Sequence, residues 1–231
     1  MPSSDPGLLL LHALPLDGRM WAGQCDLVPE RTYAPNLYEF GDSVTAWAEG
    51  CLDRFPAERL VVVGCSVGGS CALEILNRAP ERVAALVLIG TKAHHDPEPA
   101  FLAAAVRLIE TEGVEAGWRR YWEPLFDFPG HDAARELCEK IALEQSPEHL
   151  IKGLRAFHGR ASLEHVVAES HCPVHIVTGG LDSYPGLAYA RDLTGMTSNA
   201  QMHVVDGSGH YVPAVKPDEI TAIVSKVMRT V

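Results

Sequence analysis

Gly64-Cys65-Ser66-Val67-Gly68 sets a serine between two glycines, two positions away on each side. A hydroxyl in that frame suits nucleophilic attack on a carbonyl. If the five residues turn sharply from a strand into a helix, the serine stands proud of the sheet, and the glycines supply the room such a turn requires. The backbone N–H of Val67, at the start of the helix, would then face a developing oxyanion. The same glycines, with Gly69 and Ser70, also fit a turn used for close helix–strand packing. Cys65 is a rival nucleophile by chemistry, but the residues two away from it are Val63 and Val67, so the glycine frame presents Ser66 and leaves Cys65 as a buried neighbour.

A serine hydroxyl needs a base, and the base needs a carboxylate to orient it. Eleven histidines compete for the first role. The chain order serine, acid, histidine narrows them to His210, in the glycine-rich stretch Asp206-Gly-Ser-Gly-His210 after the last predicted strand. Asp182, just beyond the predicted strand Pro173 to Thr178, is the candidate acid; it also fits a cap for the helix that follows. Asp96 and Glu98 are lesser candidates, and Asp206 lies so close to His210 that it is expected to shape the turn. A second oxyanion donor is expected from Leu11-His12-Ala13-Leu14-Pro15-Leu16, with the backbone of Leu14 as candidate and His12 holding the loop by hydrogen bonds.

These residues must be positioned by elements that alternate in type. Short apolar runs at Leu8 to His12, Arg59 to Val63, Val83 to Ile89, Pro173 to Thr178 and Gln201 to Val205, with a weaker one at Arg31 to Leu37, predict about six strands of a parallel sheet covered by helices. Asp42 is expected to cap a helix ending near Phe55, before Pro56. A second helix runs from Ser66 to about Ala79, and a third from Pro217 with Ile220, Ile223, Val224 and Val227 on its apolar face. The rhythm breaks at residues 93–165, which read as consecutive helices. The expected organisation is a core of residues 1–92 and 166–231 with a helical cap of residues 93–165 over the strand ends, where ligands bind. Trp118, Tyr121, Trp122 and Phe126 recur at helical spacing in that cap and either line a pocket or form the cap's own core. Arg119, Arg120 and Arg160 read as solvated cap arginines. His94-His95-Asp96 lacks the spacing of a metal site.

The formal net charge of −11, with no dense Lys/Arg run, argues against nucleic acid or an anionic membrane as partner. The opening residues lack the basic and apolar regions of an export signal, and no stretch approaches a membrane span, so the cytoplasm is the expected compartment. The six scattered cysteines read as reduced thiols. A monomer or weak homodimer acting on a small-molecule substrate is expected.

With the Ser66, Asp182, His210 and Leu14 segments in place, the chain resembles compact capped members of the α/β-hydrolase superfamily. It is similar to bacterial carboxylesterases, the pimeloyl-carrier-protein esterase and the 3-oxoadipate enol-lactonases. Leu8 to Trp21, Leu60 to Gly90 and Leu154 onward carry the resemblance, and Arg155-Ala-Phe-His-Gly-Arg160 looks like the return from cap to sheet. It implies an α/β-hydrolase fold with a helical cap, a triad of Ser66, Asp182 and His210, oxyanion donors at Leu14 and Val67, and no metal or organic cofactor. Ala13 stands where that pattern usually has glycine. The reaction implied is hydrolysis of a carboxylic ester or lactone through an acyl-enzyme. A cofactor-free perhydrolase, a C–C hydrolase on the same triad and a non-catalytic ligand-binding relative remain as alternatives.

Overall fold

The computed structural model describes residues 5–231. Among these, six strands, β1 (Gly7–Leu11), β2 (Thr32–Tyr33), β3 (Leu60–Cys65), β4 (Val83–Ile89), β5 (Val174–Gly179) and β6 (Ala200–Val205), pair in parallel in the order β2-β1-β3-β4-β5-β6. Every residue of β1, β3 and β4 is buried, which is why these strands read as continuous Leu, Val and Ile runs: helices cover both faces. The edge strand β6 is half-exposed and correspondingly more polar.

The helices are α1 (Val44–Arg54), α2 (Val67–Arg78), α3 (Pro99–Gly117), α4 (Asp132–Leu143), α5 (Pro147–His158), α6 (Glu164–Ala168), α7 (Gly186–Thr194), α8 (Val212–Val215) and α9 (Pro217–Met228). Helices α3 to α5 lie between β4 and β5, where the sequence predicts an insertion. A π-helical turn at Trp118–Trp122 and a 3-10 turn at Glu123–Phe126 link α3 to α4. Helix α5 comes down onto the loop after β1: a Cβ on Gly153 would sit 2.5 Å from Leu14 Cδ1 and 2.8 Å from Tyr38 Cε1. Among the described residues no helix is long and apolar enough to cross a membrane.

Two local expectations are corrected. The strand expected over Arg31 to Leu37 shrinks to Thr32–Tyr33, paired with Leu8 and Leu9. Pro35 has no N–H to continue a ladder, and Asn36 instead caps a 3-10 turn over Leu37–Phe40 by accepting from the Tyr38 amide. The cap of α1 is Ser43, whose Oγ accepts from the Ala46 N–H at 3.1 Å, while Asp42 lies one residue outside and faces Arg155 at 3.9 Å. The C-terminal end of α1 is held by Arg82, which donates to the carbonyls of Leu52, Phe55 and Ala57 at 3.2, 2.7 and 2.8 Å.

Arg82→Met keeps the aliphatic stem and strands those carbonyls. It should lower the urea midpoint by an amount equivalent to about 1–3 kcal/mol, with the m-value unchanged. An unchanged midpoint would mean that water replaces the guanidinium without loss.

Candidate active site

Ser66 occupies the turn between β3 and α2 with φ +53° and ψ −117°, a left-handed conformation that a serine adopts only when its surroundings enforce it. Its N–H donates to Ile89 O at 2.8 Å, tying the turn to the end of β4. The glycine frame is a steric necessity. A Cβ on Gly64 would lie 2.4 Å from Gly68 O, and one on Gly68 would lie 2.2 Å from Leu11 O. The two readings of these glycines therefore coincide: the close packing of α2 on the sheet is what forms the turn. Cys65 is the last residue of β3 and fully buried, and burial raises its thiol pKa well above the ordinary value, so it stays protonated.

His210 and Asp182 come together from loops beyond β6 and β5. Asp182 Oδ2 accepts from His210 Nδ1 at 3.1 Å, and the two side chains are only 1 % and 5 % exposed. The other carboxylate oxygen, Oδ1, accepts from the Tyr184 backbone N–H at 2.8 Å. One aspartate thus shapes the turn before α7 and fixes the imidazole. With Nδ1 donating, Nε2 keeps its lone pair, the form a general base needs. Asp96 instead pairs with His94 at 3.2 Å, and Asp206 is exposed. Gly90 completes the arrangement and was not singled out by the sequence. It has φ +54°, and a Cβ there would lie 3.1 Å from His210 Nδ1 and 3.4 Å from Asp182 Oδ2.

The loop after β1 brings Leu14 to the same place. Leu14 N–H and Val67 N–H have no acceptor among the described residues, the latter because it opens α2. Ala13 is accommodated without positive φ, fully buried, with its N–H 3.2 Å from Met20 Sδ. His12 holds the loop: its Nε2 accepts from the Leu37 N–H at 2.9 Å and its Nδ1 faces Ala13 O at 3.2 Å. Burial lowers its pKa to about 4, so it is neutral near pH 7. Tyr211, beside His210, donates from its hydroxyl to Leu14 O at 2.8 Å, so the histidine loop and the Leu14 loop share one anchor.

The alpha/beta hydrolase family matches residues 8–223. The chain belongs to that family. It is 27 % identical over 258 residues to the pimeloyl-[acyl-carrier protein] methyl ester esterase of Aromatoleum aromaticum, covering 97 % of this chain and 98 % of that one. A thermophilic esterase from Thermogutta terrifontis superposes with TM-score 0.87 at 23 % identity, covering 98 % of this chain and 92 % of that one. The enol-lactonase from Burkholderia xenovorans does so with TM-score 0.84 at 19 % identity and the same coverage.

In this hydrolase fold a cavity of about 580 Å³ opens above the strand ends, lined by Ser66, His210, Leu14 and Val67 from the core. The helical insertion adds Phe101, Tyr121, Trp122, Leu154, Phe157 and His158. Of the four aromatic candidates, Tyr121 and Trp122 line it. Trp118 and Phe126 do not: the π-helical and 3-10 turns break the 3.6-residue period and rotate these two inward. Phe126 stacks on Tyr211 with centroids 4.7 Å apart and planes at 2°, and Trp118 packs behind it at 5.8 Å, so both support the histidine loop. Arg119 and Arg120 are exposed as expected, but Arg160 is half-buried. Its guanidinium lies 3.9 Å from the Phe157 ring centroid, and burial lowers its pKa to about 10. Among the described residues no group of three or more His, Cys, Asp or Glu side chains is placed to hold a metal ion.

Gly90→Ala should displace the imidazole and lower kcat by about tenfold to a hundredfold while the protein stays folded. Full activity in that variant would show that the pair has room to spare. Stability should fall as pH drops from 6.5 towards 4: the unfolded chain takes up a proton on His12 that the folded state refuses, a loss of about 3 kcal/mol from this group. Urea midpoints across that range check it, and His12→Gln should flatten the slope.

Proposed function

We propose that this chain hydrolyses a small-molecule carboxylic ester or lactone through an acyl-enzyme on Ser66. The observation that carries the reading is the buried Asp182–His210 pair at 3.1 Å, with His210 lining one cavity together with a serine held at φ +53°. The kinds of relative agree with it: a methyl ester esterase, a thermophilic esterase and an enol-lactonase.

His210 Nε2 takes the Ser66 proton as the hydroxyl oxygen attacks the substrate carbonyl. Asp182 stabilises the imidazolium that forms. The Leu14 and Val67 N–H groups receive the oxyanion; in a site of this kind one such donor is worth about a hundred- to a thousand-fold in rate. The imidazolium then protonates the leaving alkoxide. A water molecule repeats the sequence on the acyl-enzyme, giving the acid and free Ser66. The histidine, its acid and both amides are fixed before substrate arrives, so little reorganisation is needed during the reaction. Residues 93–165 act as the cap that supplies the apolar wall and keeps water scarce. The reading describes a cytoplasmic enzyme, monomeric or weakly dimeric, whose partner is a small molecule. The net charge of −11 supports the exclusion of nucleic acid and anionic membranes.

Chromogenic esters of graded acyl length should be turned over by the wild type and not by Ser66→Ala, and a fluorophosphonate probe should label the peptide that holds Ser66. Asp182→Asn should lower kcat by about 10⁴-fold with the fold intact. Equal turnover in wild type and Ser66→Ala would remove Ser66 from the mechanism. Peroxide-dependent halogenation exceeding ester turnover would point to a perhydrolase, and tight ligand binding without turnover to a binding protein.

A further inference from the structure

The mechanism leaves one buried titratable side chain of the cavity without a task. His158 ends α5, is 8 % exposed, and lines the same cavity as Ser66 and His210. Phe101 and Phe157 flank its ring, each with its centroid 5.0 Å away. Its main-chain carbonyl is held by His95 Nε2 at 2.9 Å, so the backbone is anchored while the ring is not. Among the described residues Nδ1 is sealed from solvent without a hydrogen-bond partner, whereas Nε2 is not sealed.

That asymmetry fixes the tautomer. Burial and the nearby Arg160 lower the pKa of His158 to about 4, so near pH 7 the ring is neutral and carries one proton. A proton on the sealed Nδ1 would be an orphaned donor, the less tolerated kind of unpaired group; a bare lone pair there is the lesser penalty. The proton is therefore assigned to Nε2, the nitrogen that is not sealed, on a residue that lines the cavity. Phe101, Trp122, Leu125, Leu154 and Phe157 make much of the cavity wall apolar; its charged residues Glu98 and Arg120 are exposed, so water screens them.

We propose that His158 forms a specificity subsite, donating from Nε2 to a neutral acceptor oxygen on the arm of the substrate, so that this cavity favours esters bearing an ether or carbonyl oxygen over plain alkyl esters. The proposal rests on the reading of the cavity as the ester-binding site, and its test separates the two.

Aryl esters of straight-chain acids are compared with analogues in which one methylene, from the fourth carbon onward, is replaced by an ether oxygen. The corresponding amides, which are not cleaved, are titrated calorimetrically with the wild-type protein. For at least one position the oxygen analogue should be favoured by about tenfold or more in kcat/KM and in Kd. The readout is the ratio within each pair. His158→Phe should bring that ratio close to one, and His158→Asn, which keeps an N–H donor, should retain part of it. Ratios near one at every position in the wild type, or a preference that survives in His158→Phe, would overturn the subsite. A preference in amide binding with no turnover of any ester would overturn the acyl-enzyme reading and leave the subsite standing.

Discussion

Ser66 holds a backbone conformation that L-residues avoid, at a penalty of about 1–3 kcal/mol in proteins generally. Much of the surrounding structure serves to impose it. Strand β3 delivers the chain at the end of a fully buried run, and α2 begins at the next residue. The two can meet at so short a turn only because Gly64 and Gly68 have no side chains. The Ser66 amide is spent on Ile89, and its carbonyl accepts the Gly69 N–H at 3.0 Å, so the turn is closed from both sides. The strain is thus held by the burial of a strand, the packing of a helix and hydrogen bonds that would all have to be lost together. The same constraint leaves the Val67 amide unpaired beside the serine, so the proposed nucleophile and one proposed oxyanion donor have a single structural cause.

The other groups are brought in by mutual contact between loops. The loop after β5 and the loop after β6 are pressed together so closely that a Cβ on Gly179 would lie 2.2 Å from Gly209 O. The Leu181 amide donates to Ser208 O at 2.9 Å across the same junction. Asp182 and His210 are therefore positioned by backbone before their own hydrogen bond is counted. Tyr211 extends the connection to the Leu14 loop through its hydroxyl, and Phe126 and Trp118 stack behind it from the insertion. Losing any of these contacts would move His210 relative to the Leu14 and Val67 amides.

This division explains what could be read from the chain and what could not. Strands β1, β3, β4 and β5 announce themselves as apolar runs because burial on both faces demands it. The Ser66, Asp182 and His210 segments are legible because glycine clusters at strand ends are rare and local. Gly90 looked like any glycine after a strand; its role depends on a histidine 120 residues away, which no local pattern encodes. Helical spacing alone does not tell which of Trp118, Tyr121, Trp122 and Phe126 line the cavity and which pack inside, because a π-helical turn leaves no clear mark in the residue pattern. Choosing Ser43 over Asp42 as helix cap, and ending β2 at Tyr33, were decisions among adjacent residues of similar propensity. Arg160 was read by its charge, whereas its stacking on Phe157 reflects the planar, weakly hydrated character of the guanidinium.

The contrast between core and insertion also bears on how selectivity arises. An apolar wall distinguishes substrates weakly, since one methylene is worth only about 1–3 kcal/mol. Phe101, Tyr121, Trp122, Leu154 and Phe157 would by themselves accept many acyl chains. Sharper discrimination needs a buried polar group that is left unsatisfied by the wrong ligand. Three buried groups of the core near Ser66 are already committed: His12 to the Leu37 amide, Asp182 to His210 and Tyr184, Tyr211 to Leu14. On the insertion side of the cavity, where α5 ends, His158 has a buried ring nitrogen that lacks a partner among the described residues. On the proposed reading the chemistry is fixed by groups that satisfy one another, and the choice of substrate by a group that does not.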